Sequence, residues 1–401
     1  MTRNAIIAGL AALSAACNSG GASPSPAAHA PAKARDAEAR TAVARDAGID
    51  ADLGHLAARP LYTTLCAPCH GADGKGYAAD HAPSLVNPTF LESASDEFLR
   101  QSIAAGRPGT SMAAYGRARG GPLDDAAVAR LVGYLREQGP PPTPLPAVAG
   151  GDPATGAAVY AQRCVRCHGD ARTRGEAMSL VNPGLLASAS DGFLRHAIVR
   201  GRPGTPMEAF AGVLSDAEIA GVIRYLRTAG AGGAPVELLP EPTGKEPLVL
   251  NPAGKPPQFT PRADPCPPAA PGAPRCTPDP RFVSVAQVAA ALADHRRLII
   301  IDARPASEWR RVHIAGAVSI PYHDLGRLDE VPKDGTWIIA YCGCPHHLSG
   351  IVVDELRKRG YAHAVVLDEG INEWHRRSLP VVAAEGVASP LPEVTMPRPR
   401  R

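Results

Sequence analysis

The chain has 401 residues, too many for one ordinary domain and enough for two to four. Its 42 Lys and Arg nearly balance 39 Asp and Glu, with no basic run interleaved with aromatics, which argues against nucleic acid as a partner. Aromatics make up only 4%, against 40 Gly and 42 Pro, so the expectation is small helical domains joined by irregular linkers.

Arg3 precedes a short apolar run over residues 5–13, followed by small residues and Cys17. This is a secretory signal in outline, too short to span a bilayer. Leu13-Ser14-Ala15-Ala16-Cys17 resembles a bacterial lipobox, although Leu13 stands four residues before the cysteine instead of three. Residues 1–17 are therefore read as a signal peptide of lipoprotein type, ordinary cleavage without a lipid being the alternative. Lipidation would hold the chain on the periplasmic or outer-surface side of a bacterial membrane. Residues 18–47, rich in Ala, Ser and Pro with few apolar anchors, read as a flexible tether.

The stretch Cys66-Ala67-Pro68-Cys69-His70 recurs as Cys164-Val165-Arg166-Cys167-His168. Two thiols three residues apart reach the two vinyl groups of one porphyrin, and the adjacent His lies under the iron. The pattern is that of c-type haem attachment. A zinc site would want its four ligands within one compact ribbon, whereas these pairs lie about a whole small domain apart. Two covalent haem c groups are the expected cofactors.

The first haem domain is placed at residues 48–139. Pro60 starts or breaks the helix that leads into Cys66. The loop Gly71-Ala72-Asp73-Gly74-Lys75-Gly76 lacks the strand and spacing of a phosphate cradle and reads as close backbone packing at the haem edge. Val128, Leu131, Val132 and Leu135 mark one apolar face of a last helix, capped by Asp124 or Asp125 and stopped at Gly139-Pro140.

Gly106-Arg107-Pro108-Gly109-Thr110-Ser111-Met112 returns as Gly201-Arg202-Pro203-Gly204-Thr205-Pro206-Met207. The chain has five Met, and two of them hold one position of this repeated loop. A thioether is a soft neutral ligand, and His/Met ligation raises the iron's reduction potential. Met112 and Met207 are thus the candidate sixth ligands, opposite His70 and His168. With both axial positions filled, electron transfer is expected in preference to haem-centred catalysis. His81 is the rival in the first domain and has no counterpart in the second.

The second haem domain is placed at residues 150–230. Asp152-Pro153 opens a helix, and Ser215-Asp216-Ala217-Glu218 is a capping box before the face Ile219, Val222, Ile223 and Leu226. Leu85-Val86-Asn87-Pro88 matches Leu180-Val181-Asn182-Pro183, and the run from Ser95 to Arg100 matches that from Ser190 to Arg195, so the domains are internal duplicates. Both resemble class I cytochromes c of the small type seen in dihaem subunits of bacterial respiratory complexes. The resemblance implies all-α folds and redox protein partners of a respiratory chain. It implies one haem on Cys66, Cys69, His70 and Met112, and another on Cys164, Cys167, His168 and Met207. It also implies that the Pro83 carbonyl accepts the proximal His N–H. The second domain departs from this pattern, with a shorter loop and Met178 where Pro83 stands.

Residues 231–280 are dense in Pro and Gly and read as a stiff spacer, in which Cys266 and Cys276 bracket a short loop suited to a disulfide staple. Over residues 281–385 short strands alternate with helices, which predicts an α/β domain with a mostly parallel sheet. Strands are expected at 282–285, 298–302, 318–320, 337–341 and 364–367, and helices at 286–294 and 348–359. Residues 386–401 are read as a tail.

At the end of the 337–341 strand stands Cys342-Gly343-Cys344-Pro345-His346-His347-Leu348-Ser349. Loop N–H groups and the following helix N-terminus favour a thiolate there. With Asp302-Ala303-Arg304, Glu308-Trp309, His313-Ile314-Ala315-Gly316-Ala317, Ile320-Pro321 and Glu369-Gly370-Ile371-Asn372-Glu373-Trp374, this region resembles a rhodanese domain. The resemblance makes Cys342 the catalytic, persulfide-carrying nucleophile and a small sulfur compound its partner. The loop lacks the usual Arg, and His346 or His347 either supplies the charge or is simply exposed. Cys344 is placed to resolve an oxidised Cys342. Three readings stay open: a dihaem electron carrier with sulfurtransferase or sulfur-oxidising activity, a plain electron carrier with a docking module, and a thiol redox sensor.

Overall fold

The computed structural model describes residues 53–76, 82–231, 236–260, 281–343 and 346–387. The stretches read as a signal peptide with Cys17 and as a tether, together with His81, Cys266, Cys276, Cys344, Pro345 and most of the stretch read as a tail, lie outside the described residues. Two helical domains precede one α/β domain.

The first domain starts from helix Ala58–Leu65, which buries Leu61, Tyr62 and Leu65. Pro60 stands in its first turn, where it breaks no hydrogen bond, so it begins the helix without ending it. Asp124, not Asp125, caps helix Asp125–Arg136 by accepting from the Ala127 N–H at 2.8 Å. The apolar face read from the sequence is the buried one, and it packs on the first helix.

The second domain repeats this plan. Asp152 caps helix Pro153–Arg163. Both halves of the Ser215–Glu218 capping box are made, opening helix Asp216–Ala229. Again the first and last helices pack together. Between them, helices Asp96–Ala105 and Asp191–Arg200 start at Ser95 and Ser190, each accepting a backbone N–H at 3.1 Å. The two domains meet through stacked Phe98 and Phe193 rings, 4.6 Å apart.

The third domain comprises strands β1 (Phe282–Val283), β2 (Leu298–Asp302), β3 (Val312–Ile314), β4 (Val318–Ser319), β5 (Trp337–Tyr341), β6 (Ala364–Leu367) and β7 (Val381–Ala383). A five-stranded sheet has the order β1-β6-β5-β2-β4 and is parallel throughout, while β3 and β7 form a separate antiparallel pair. The buried strands β2, β5 and β6 keep their expected extents. The edge strands are shorter: β1 stops at Val283 because Ser284 caps helix Val285–Ala293.

The stretch read as a spacer is partly laid along this domain. Leu250 bridges Leu298 in antiparallel fashion, Leu239 and Arg310 bond backbone to backbone, and Phe259 packs edge-on to Trp337. One cluster of buried apolar side chains runs through all three domains, from Leu53 and Leu131 past Ile223 to Ile338 and Val353. Among the described residues no helix is long and apolar enough to cross a membrane.

Candidate functional site

In each helical domain the first helix ends at the first Cys of the pair, and a single turn follows, Ala67–His70 or Val165–His168. The N–H groups of Cys69 and His70 both return to the Cys66 carbonyl, at 3.1 and 2.8 Å. Those of Cys167 and His168 return to Cys164 at 3.1 and 3.0 Å. This turn gathers two thiols and an imidazole within five residues of backbone, and all four thiols are free of disulfides. Burial pushes the Cys66 thiol up to about 12 and that of Cys164 up to about 11, so both stay uncharged.

The proximal histidines are oriented alike. His70 Nδ1 lies 2.9 Å from the Pro83 carbonyl, and His168 Nδ1 lies 2.8 Å from the Met178 carbonyl. A carbonyl only accepts, so Nδ1 is the protonated nitrogen and Nε2 carries the lone pair. Burial holds both imidazoles below the usual histidine range, in the neutral form a metal requires. The departure at Met178 is therefore harmless, because the backbone supplies the acceptor whatever the side chain. In the first domain the glycine loop folds back so that Pro83 can reach. A Cβ on Gly76 (φ +78°) would stand 2.1 Å from the Ala82 carbonyl oxygen.

The methionine loops are superposable in their bonding. Arg107 N–H donates to the Met112 carbonyl at 2.8 Å, and Arg202 N–H to that of Met207 at 2.9 Å. Thr110 and Thr205 hydroxyls accept from the Met112 and Met207 N–H groups at 3.1 and 3.2 Å. Both methionines are half-buried. A neutral imidazole Nε2, two thiols placed for thioether attachment and a methionine thioether are what a covalent haem needs, and these residues fit one in each domain.

Cys342 follows β5 and is 1% exposed. Its sulfur lies 3.4 Å from the Ser349 hydroxyl, within the first turn of helix His347–Lys358. Its carbonyl accepts from the Ile371 N–H at 3.1 Å. A Cβ on Gly370 (φ +64°) would sit 2.4 Å from that carbonyl oxygen, so the loop needs glycine there. Beneath it, Arg304 grips Asp302 with two bonds of 3.0 and 2.7 Å and caps the Val312 carbonyl at 2.6 Å. Burial alone would weaken this guanidinium, but the Asp302 carboxylate keeps it protonated.

Neither histidine of the loop is exposed, contrary to one of the expectations. His347 is buried at 2%. His346 takes a left-handed conformation, donates from Nε2 to Asp368, and packs its ring on Phe282.

Nothing local in the chain indicates where this loop lies. Ser111, the neighbour of Met112, donates its hydroxyl to the Gly343 carbonyl at 2.9 Å. Tyr322 donates to the Leu65 carbonyl at 2.9 Å, one residue before Cys66, and its hydroxyl meets that of Tyr115 at 3.0 Å. Ser307 donates to the Ala114 carbonyl at 2.6 Å. The sheet domain thus meets the first haem domain at two places: the Cys342 loop bonds to the methionine loop at an exposed contact, and Tyr322 reaches the residue before Cys66 in a buried one. Tyr62 and Tyr160 also escaped sequence reading; each donates to the carbonyl after its histidine, Gly71 or Gly169, at 2.8 Å. Their common position, four residues before the first Cys of each pair, was the available signal.

Comparison with known proteins agrees with this division. Residues 56–135 and 151–226 match the family described as cytochrome c oxidase, cbb3-type, subunit III. Residues 284–377 match the rhodanese-like domain. A cbb3-type cytochrome c oxidase subunit FixP of Bradyrhizobium sp. (strain ORS 278) is 30% identical over 190 residues, which are 45% of this chain and 62% of that protein. A subunit CcoP of Azospirillum sp. (strain B510) is 28% identical over 43% of this chain and 62% of its own length. A sulfurtransferase of Allochromatium vinosum is 33% identical over 24% of this chain and 88% of its own. The chain therefore spans under two thirds of the oxidase subunits it matches. Cytochrome c domains of this kind carry covalently bound haem c, and two domains accommodate two haems. The chain thus carries two N-terminal domains that match the cbb3-type cytochrome c family, and its C-terminal domain belongs to the rhodanese-like family.

Proposed function

We propose that this chain is a dihaem c-type electron carrier of the bacterial periplasm whose C-terminal domain carries sulfane sulfur as a persulfide on Cys342. Cys66, Cys69, His70 and Met112 hold one haem; Cys164, Cys167, His168 and Met207 hold the other. When bound, each haem supplies a one-electron ferric/ferrous couple. The chain's own residues fix the proximal imidazoles through Pro83 and Met178 and keep their Nε2 lone pairs directed at the metal. A lipid on Cys17 keeps the protein at the membrane, and the tether lets the haem domains reach a respiratory redox partner. The oxidase subunits among its relatives support that partner class.

The observation that carries the sulfur reading is the interface joining Gly343 to Ser111 and Tyr322 to Leu65. It sets a candidate sulfur nucleophile against a candidate electron acceptor. Hydrosulfide joining the Cys342 thiolate forms one S–S bond and releases one proton and two electrons. Two one-electron acceptors would close that balance, and one haem held in each helical domain would supply them. The rival reading, a C-terminal domain that only docks, draws on the burial of Cys342.

Incubating the oxidised holoprotein anaerobically with hydrosulfide, then weighing the Cys342 peptide, separates the two. The proposal expects the mass of one added sulfur on that peptide and none in Cys342→Ser. An unmodified Cys342 peptide, with hydrosulfide consumed or not, leaves an electron carrier with a docking module.

A further inference from the structure

Besides the stacked Phe98 and Phe193, side-chain bonds between the haem domains reach both methionine loops, and these are reciprocal. Asn182 of the second domain donates from Nδ2 to the Pro108 carbonyl at 2.9 Å. Asn87 of the first donates from Nδ2 to the Pro203 carbonyl, also at 2.9 Å. Pro108 and Pro203 each stand four residues before the methionine of their loop.

The orientation of these amides is set by their other end. Asn87 Oδ1 accepts from the Phe90 N–H at 3.3 Å, and Asn182 Oδ1 from the Leu185 N–H at 3.1 Å, each capping its own short helix. With the oxygen committed to an N–H, the nitrogen faces the other domain's carbonyl as donor. A cap of Asp would serve the helix but could not donate across.

The clasp is stronger on one side. At the second domain's loop, Thr89 adds a bond to the Gly201 carbonyl at 2.8 Å, and Arg202 returns two bonds of 3.2 Å to Thr89. The position matching Thr89 is Gly184, which has no hydroxyl to offer. The first domain's loop instead receives its further tie from the C-terminal domain, through Ser111 and Gly343. Arg107 and Arg202 cover Phe98 and Phe193 at 5.4 and 5.5 Å, so the contact has an approximate two-fold character.

We infer that each haem domain positions the methionine of the other, with Asn182 acting on Met112 and Asn87, helped by Thr89, acting on Met207. This rests on the reading of those methionines as sixth ligands. A thioether bond to iron is soft and depends on where its loop is held, so loss of a clasp weakens the bond and lowers that haem's potential. Asn87 and Asn182 are positioning residues, since they touch the loops and not the haem.

The test uses the full-length holoprotein and two readouts, the methionine-to-iron charge-transfer absorption and a redox titration. Met112→Leu and Met207→Leu assign band and potential to each domain. Asn87→Ser and Asn182→Ser keep an uncharged helix cap and remove the long donor. The effect expected is crossed: Asn182→Ser weakens the Met112 band and lowers that potential, while Asn87→Ser does so for Met207. Thr89→Val adds to the second effect. Changes confined to the haem of the mutated domain, or no change in either haem, overturn the inference while the ligand assignment stands. If Met112→Leu and Met207→Leu leave the bands in place, the ligand assignment fails and takes the inference with it.

Discussion

The two haem domains share one scaffold and stand in different surroundings. Their tyrosine anchors both bond at 2.8 Å, their proximal histidines bond at 2.9 and 2.8 Å, and Arg136 and Arg227 each clamp two carbonyls of the preceding helical corner. Yet His70 is buried at 7%, while His168 is part-exposed. Among the described residues, the first haem domain bonds to the sheet domain at Ser111–Gly343, Tyr115–Tyr322, Ala114–Ser307 and Leu65–Tyr322. Duplication has preserved the ligand geometry and left the environment free to diverge. A ferric haem is more positive than a ferrous one, so burial favours the reduced state. The first haem is thus expected to have the higher potential, and a two-wave redox titration with assigned waves checks the order.

The largest effect should come from the attachment cysteines. Replacing Cys66 and Cys69 by Ala removes one haem of two, and replacing Cys164 and Cys167 removes the other, as haem-to-protein ratios and intact mass would report. A variant that keeps both haems would break the comparison at its root. Next comes the docked side of the first domain. Tyr322→Ala empties a buried aromatic site and should destabilise by about 3–5 kcal/mol, whereas Tyr322→Phe loses hydrogen bonds worth about 1–2 kcal/mol. Thermal unfolding separates the two.

His323 beside it adds a pH dependence. Burial pushes its imidazole down to about 4 from an ordinary 6.5, with Asp324 opposing weakly. Between those values the unfolded chain binds a proton that the folded one does not, so stability rises with pH through that window. The neutral imidazole's contribution is intact above pH 6.5 and is lost as pH falls toward 4, by on the order of 3 kcal/mol. Denaturant melts at several pH values should show this slope, and His323→Leu should flatten it.

Tyr62→Phe and Tyr160→Phe should each cost about 1 kcal/mol, and by equal amounts, since they break the same bond in two copies. Unequal costs in denaturant melts would show that the scaffolds differ more than their distances do. The smallest effect is expected at Met178. Met178→Leu leaves the carbonyl that orients His168, so the second haem's potential should not move.

Much of this was legible in the chain. The repeated Cys-x-x-Cys-His and Gly-Arg-Pro-Gly-Thr stretches announce themselves because covalent haem chemistry fixes both residue types and spacing. Strands β2, β5 and β6 could be read to the residue, because a parallel strand buried on both faces is an unbroken apolar run. The three-residue strands β3 and β7 could not, since each is too short to carry a period. His346 looked like a loop residue open to solvent, yet Asp368 and Phe282, both distant in sequence, enclose it. Asn87 and Asn182 were visible as matching residues, but their bonds span 116 and 74 positions, and nothing local records that. The same holds for Ser111 and Gly343, 232 positions apart.

On the proposed function, the Cys342 loop and the first haem domain act as one unit. The most direct measurement is anaerobic stopped-flow mixing of the oxidised holoprotein with hydrosulfide, following each haem by its assigned spectrum. The first haem should be reduced before the second, and Cys342→Ser should abolish both phases. Reduction that starts at the second haem, or that proceeds unchanged in Cys342→Ser, would contradict the proposal.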